Sequence, residues 1–417
     1  MELKANARFL RYALIAAGCI VFWGVPGCGS IPHKTGQTTE STRETALPWQ
    51  EYGTGEEDKK ESAADICLEL YREAAEKGQT ADTKMLERIV KQFGDCGYPA
   101  VDSKNQIDMT EAGQVVRFCE KAEAGEETEL TLIEVTYAGG FIKYDLCAAG
   151  GRLYVVKSCY EYGSGKMQNT AEGSYPAEYW DYTEDGYFVF AGKCHSEEMY
   201  VLTLSRAEEH VMLRVRPLDE TCREFNRKYL LPIGYERNNM FLVDWNEEEF
   251  GELDFYDMYD IFYPEIMAEP VPYAPDRSLG VGAVYEIPKE EFEAVIMEYF
   301  SVDSRTLQSK TVYHPQTAAY EYKPRGFYEV EYPEYPYPEV TEYKENSDGT
   351  VTLTVHAVFP HTGDSRVYVH EVTVRPKEDG GVQYVSNRVV PSENNREATW
   401  HTPRLEEKEW EELYSQE

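Results

Sequence analysis

Twice along this chain the spacing of apolar residues changes from helical to alternating, and that order constrains the fold more than any single motif. Cys67, Leu70, Tyr71 and Ala74 recur at helical spacing. Leu86, Ile89, Val90 and Phe93 do the same, followed by Val115, Val116 and Cys119. Gly78 and Gly94 are placed to end the first two helices, and Asp82 to cap the start of the second. From Glu129 the period becomes two. Residues 130–137, 141–147 and 152–162 alternate, separated by the turn sequences Ala138-Gly139-Gly140 and Ala149-Gly150-Gly151. Strands are expected to continue at 187–191, 199–204 and 211–215, before a helix over 219–229.

The second change begins at Pro288, a residue suited to a first helical turn. Phe292, Val295, Ile296, Tyr299 and Phe300 then make one apolar face, and Asp303 caps a short helix through Leu307. Strands are expected at 318–322, 327–332, 340–343, 351–359, 367–374 and 382–390, with turns at Asp348-Gly349 and Asp379-Gly380. Helices followed by antiparallel strands define an α+β fold in two domains, and the pattern lacks the β–α alternation of a two-lobed solute-binding protein. The first domain is expected over 63–267 and the second over 281–391. Pro270, Pro272 and Pro275 mark a linker at 268–280, and 392–417 form an acidic tail.

The start of the chain reads as an address. Lys4, Arg8 and Arg11 precede an apolar run over residues 12–25, shorter than the ~20 residues that span a bilayer. Gly24-Val25-Pro26-Gly27-Cys28 follows, and it resembles the lipobox of bacterial lipoproteins. Pro26 departs from the common Ala or Ser. The resemblance implies a signal peptide over 1–27, acylation (palmitate or a similar chain) at Cys28, and an extracytoplasmic protein held on the cell membrane by lipid. Two acyl chains, at about 0.8 kcal/mol per buried CH₂, make a firm anchor. Residues 28–62 are polar without periodicity, a flexible tether reaching roughly 30 Å.

Acidic residues outnumber basic ones 76 to 41, giving a net charge of −35. That balance excludes phosphate-directed nucleic-acid binding and docking on an anionic membrane surface. After Cys28 the cysteines are Cys67, Cys96, Cys119, Cys147, Cys159, Cys194 and Cys222, an odd number, so one at least stays free or pairs outside the chain. An exported setting permits disulfides among them.

Motifs that carry chemistry are approached and missed. His370-Glu371 lacks the second His of a zincin helix and lies in a strand. Gly165-Lys166 is followed by Met167 rather than Ser or Thr, and Cys194-His195 are neighbours whose side chains diverge in a strand. Asp244, Asn246 and Glu248 begin like a calcium loop, but Glu249 and Phe255 stand where Gly and Glu belong, so 244–260 reads as a solvated acidic face. No metal or cofactor is expected.

Two places remain as candidate ligand sites. The first is Tyr335 and Tyr337, in a Tyr-Pro alternation that favours an extended chain whose rings can stack on sugars or peptides. The second is His370 with Asn387. If 360–365 is a hairpin loop, Val355 pairs with His370 on the apolar face. If Arg375 pairs with Val382, Asn387 lies beside it. There His370 is either a base or a buried neutral ring bonded to Asn387.

Helix first, then a strongly alternating antiparallel sheet over 281–391: this resembles the NTF2-like or cystatin-like group. The whole arrangement is similar to predicted lipoproteins of gut clostridia, a family of unknown function. The resemblance implies an extracellular location and no assigned chemistry. With no reactive constellation found, the chain reads as a surface-anchored, non-enzymatic binding module whose partner is an envelope protein, wall peptide or glycan. The alternative is an NTF2-like pocket enzyme of isomerase or dehydratase type.

Overall fold

The computed structural model describes residues 62–79, 82–194, 209–274, 282–326, 329, 335–391, 395 and 398–414. The Cys28 region and the expected strand at 199–204 lie outside them, as does most of the expected strand at 327–332. The protein is mixed α+β with several antiparallel sheets. Two compact units divide it, one of residues 1–209 with 213–216, the other of 210–212 with 217–417.

In the first unit, helices α1 (Ala63–Ile66), α2 (Leu68–Lys77) and α3 (Thr83–Asp95) come first. Asp82 accepts the Met85 N–H as the α3 N-cap, and Gly78 closes α2 in the left-handed conformation that suits a residue without Cβ. The short strand β1 (Ala100–Asp102) pairs in parallel with β2 (Thr128–Thr136), and α4 (Ala112–Glu123) lies between them in sequence. An antiparallel meander continues through β3 (Gly140–Ala149), β4 (Arg152–Gly163) and β5 (Lys166–Pro176), in the order β1-β2-β3-β4-β5. The tight turns between β3 and β4 and between β4 and β5 place Gly150, Gly151, Ser164 and Gly165 at positive φ, the requirement of a two-residue hairpin.

Both faces of this sheet are covered. Ile133, Val135 and Phe141 join Tyr71, Leu86, Ile89 and Phe93 in the core under the helices. On the other face Tyr144 meets Phe190 edge-on at 5.4 Å, and Phe118 of α4 meets Phe188. Those two phenylalanines belong to β7 (Tyr187–Gly192), which is buried throughout and pairs with β6 (Tyr179–Tyr182). Strand β8 (Glu209–Arg214) is the third strand of that sheet.

The second unit opens with α5 (Glu220–Phe225), capped by Asp219, and a π-helical turn over Asn226–Leu230. Strand β9 (Trp245–Asn246) and helix α6 (Phe255–Met267) follow. Then come β10 (Tyr285–Pro288), α7 (Lys289–Tyr299), α8 (Ser304–Lys310), β11 (Tyr313–His314) and β12 (Ala319–Tyr322). The main sheet is β13 (Tyr337–Glu345), β14 (Val351–Phe359), β15 (Asp364–Pro376) and β16 (Val382–Val389), with β9 at its edge. The C-terminal helix α9 (Glu407–Tyr414) carries Trp410 and Tyr414, whose rings occupy the space beside Gly282 and Gly326 that a Cβ would fill.

The proline-rich stretch at 268–280 is not where contacts divide the chain. Helix α6 before it and α7 after it share one core, with Tyr259 stacked on Phe292 at 5.3 Å and Phe262 on Tyr299 at 3.9 Å. Pro270 and Pro272 lie in irregular chain, and the packing of α6 on α7 continues across it. The division falls instead near 209–217.

Candidate functional site

His370 sits in the middle of β15, opposite Val355 of β14 and Val389 of β16, and none of it is exposed to solvent. The Val355 pairing is the one the alternation predicts. The β15–β16 register is shifted: Val382 faces Pro376, a bulge falls between Thr373 and Val374, and Asn387 therefore faces Val372, one diagonal step from His370. The two remain on one face and bond, Nδ1 to Oδ1, at 2.7 Å.

The proton positions follow from the partners. Asn387 donates through Nδ2 to the Val243 carbonyl at 2.8 Å, which fixes its Oδ1 as the acceptor. His370 therefore carries its proton on Nδ1, and Nε2 accepts from the Tyr235 hydroxyl at 2.7 Å. The ring stacks on Phe241 at 5.1 Å and meets Tyr235 edge-on. Burial lowers its pKa to about 3; the Asn387 bond pulls the other way and His356 adds slightly to the lowering. Both nitrogens are spent on the protein itself. The arrangement is a neutral, closed relay that joins β15 and β16 to the chain at 235–243.

Tyr335 lies elsewhere, at a notch it lines with Arg237, Arg325, Gly326, Glu329, Trp400 and Thr402. The notch has a volume of about 10 Å³, the room of one water-sized group. Trp400 is buried, its indole N–H has no hydrogen-bond partner among the described residues, and its ring meets Tyr235 edge-on at 6.5 Å, so Trp400 and Tyr235 stand between the notch and His370. Tyr337 is half-buried at the start of β13, opposite Val358. The structure thus brings His370 to Asn387, and Tyr335 to a separate surface feature.

The acidic stretch 244–260 is not simply a solvated face. Asp254 caps α6, and Asp257 is buried between two arginines. Arg325 meets both Asp257 oxygens at 3.0 Å and donates to the Thr402 carbonyl at 2.9 Å. Arg404 donates through Nε to Asp257 at 2.7 Å and pairs with Asp260 through Nη2. Burial raises the Asp257 carboxyl, and Arg404 and then Arg325 oppose that shift. The three aspartates are spaced three residues apart, a signal in the sequence; the arginines that answer them lie far along the chain and give none.

The first unit carries an open concavity of about 350 Å³ over β2, β3 and β4, with Glu129, Thr131, Asp145, Cys147 and Val156 among its lining. Thr131 donates to Asp145, and Lys143 pairs with the same carboxylate at 2.7 Å. Among the described residues no group of three or more His, Cys, Asp or Glu side chains could hold a metal ion, no helix is long and apolar enough to cross a membrane, and the cysteines are not joined in disulfides.

These features define a mixed α+β protein with a closed polar relay in its second unit. Residues 54–404 match a family of unknown function, DUF6070, and the chain belongs to that family. No curated protein and no solved structure matches it.

Proposed function

We propose that this protein is a surface-anchored, extracytoplasmic lipoprotein that acts as a non-enzymatic binding module. The observation that carries the binding reading over the enzymatic one is the sealed state of His370. A general base needs a free nitrogen within reach of substrate. Here Nε2 and Nδ1 are both committed to protein partners in a solvent-free layer. The notch at Tyr335 admits one polar group of a partner, and the concavity in the first unit is shallow and open, both suited to surface contact. The partner on this reading is an envelope protein, wall peptide or glycan.

The anchor rests on the order of Lys4, Arg8 and Arg11, the apolar run, and Val25-Pro26-Gly27-Cys28, as in predicted lipoproteins of gut clostridia. We infer an NTF2-like or cystatin-like arrangement for the second unit's sheet; what supports it is that α7 precedes the four-strand meander and that Phe300, just past the end of α7, meets Tyr384 of β16. Metabolic labelling with an alkyne fatty acid tests the anchor. Label should enter the wild type and not Cys28→Ala; equal labelling of both contradicts it.

A further inference from the structure

One inner face of the β4–β5 hairpin carries an unusual seat. Gly173 of β5 pairs with Lys157, and Ala171 pairs with Cys159 two residues further along β4. Side chains two apart in a strand share a face, so Cys159 and Lys157 point to the same side. The position that a Gly173 Cβ would take on that side is occupied by Cys194 Sγ, which arrives from the end of β7. Lys157 faces the same thiol: burial raises the Cys194 pKa and the Lys157 charge opposes that rise. Gly173 is one diagonal step from Cys159, roughly 7–8 Å between strand positions, and the Cys194 sulfur lies over Gly173 on the side that Cys159 faces. Cys147, by contrast, pairs with Tyr154 and projects from the opposite face, while Cys67, between α1 and α2, and Cys119, on α4, are buried.

We propose that Cys159 and Cys194 form an intramolecular disulfide in the exported protein, tying the end of β7 to the outer hairpin. The setting rests on the extracytoplasmic reading above, since cytosolic thiols stay reduced. The pairing itself rests only on the geometry. Bond formation calls for Cα atoms roughly 4.4–6.8 Å apart; on this proposal a χ1 rotation at Cys159 and a shift of Cys194, two residues beyond the end of β7 at Gly192, supply it. The bond closes a loop of the unfolded chain that includes β5, β6 and β7, and so favours the folded state. It leaves an odd number of thiols among the other cysteines that follow Cys28, of which Cys67 and Cys96 are near enough to interact with each other.

The oxidant is a disulfide-bearing exchange partner, for which oxidised glutathione serves in the test. The Cys194 thiolate attacks the glutathione disulfide, forming a mixed disulfide and expelling one glutathione thiolate. The Cys159 thiolate then displaces the second. Two cysteine thiols are oxidised, one disulfide is reduced to two thiols, and the two cysteine protons pass to the products.

The purified full chain is equilibrated in a glutathione redox buffer, quenched in acid, alkylated, digested without reduction and mapped by mass spectrometry. The expected result is a single dominant crosslinked pair of peptides holding Cys159 and Cys194, with Cys147 alkylated. Gly173→Ala, which places a methyl where Cys194 Sγ sits, should slow the crosslink at least several-fold, and Cys159→Ser should leave Cys194 alkylated or carrying glutathione. Alkylation of both cysteines in the wild type, or a dominant link from either to another cysteine, overturns the pairing. The same map on protein taken from cells separates pairing from location. A link formed in the purified chain and absent from the cellular protein keeps the geometry and overturns the exported setting.

Discussion

The Tyr235 hydroxyl donates to Nε2 of His370 at 2.7 Å, across 135 residues of sequence. That bond, with the Asn387 bond on the other side of the ring, makes His370 a structural joint. Tyr235→Phe leaves Nε2 buried without a donor and should cost about 1–3 kcal/mol. His370→Ala removes the ring as well, strands Tyr235 and Asn387, and should cost roughly 3–5 kcal/mol. Urea unfolding of the three proteins measures both. A His370→Ala protein as stable as wild type would contradict the joint.

The same burial sets a pH dependence. His370 titrates at about 3 in the folded chain against an ordinary value of 6.5. The unfolded chain therefore binds the extra proton between these values while the folded one does not. Stability from this group is complete above pH ~6.5 and is lost as pH falls towards 3, at about 1.4 kcal/mol per pH unit. His401, lowered to about 4 chiefly by burial, adds in the same direction. Asp254 and Asp257, raised chiefly by burial, act in the opposite sense. Thermal melts from pH 7 to 4 should show His370→Gln losing less stability on acidification than wild type. Parallel curves would remove His370 from the account.

Arg404 holds Asp257 and Asp260 from 144 or more residues away. Arg404→Met leaves those carboxylates, one fully buried, short of a counter-charge, and should cost about 3–5 kcal/mol. Arg404→Lys keeps the charge and loses the fork, so it should fall between the two. Denaturant unfolding of both variants ranks them; a neutral Arg404→Met would show the pair to be incidental.

Tyr335 and His370 should separate in a binding assay. In co-sedimentation with isolated, insoluble cell wall, Tyr335→Ala should lower retention several-fold without changing the melting temperature. Tyr235→Phe should lower the melting temperature and leave retention unchanged below it. Loss of retention in Tyr235→Phe alone would move the contact from the notch to the relay.

What local sequence encodes was legible. The stripe of α3, its Asp82 cap, the Gly78 stop and the Gly150-Gly151 turn depend on neighbours within a few residues. The pairing of Val355 with His370 holds as alternation predicts, although the hairpin loop is shorter than 360–365: Phe359 faces Asp364 across a bulge after Ala357. Strand β5 was not legible, because its outer positions are polar and exposed and carry no apolar alternation. The bulge at Thr373/Val374 shifted β16 by one position, a change that alternation alone does not mark. The position of the division between units also escaped, since prolines at 270–275 report local chain geometry while the packing of α6 on α7 is long-range. For the candidate site, His370 and Asn387 were found by register, whereas Tyr235, Trp400 and the arginines reach their places through irregular chain that has no periodicity to read.

Gly140 begins β3 where the place of a Cβ is taken by the Tyr160 backbone carbonyl. Backbone in a paired strand has little room to yield, and Tyr71 also donates to the Gly140 carbonyl at 2.7 Å. Gly140→Ala should therefore destabilise the first unit by about 2 kcal/mol or more, while Gly125→Ala, with open space around it, should cost about 1 kcal/mol for its positive φ. Calorimetry distinguishes them, and equal effects would deny the close approach.

The proposal most in need of a direct test is that the mature chain begins at Cys28 and is held by lipid. Intact-mass spectrometry of the protein extracted with detergent from the membrane fraction tests it most directly. The account predicts a polypeptide mass corresponding to residues 28–417 plus a diacylglyceryl group on the cysteine. A chain still beginning at Met1, or one beginning at Cys28 with no added lipid and recovered without detergent, would contradict it.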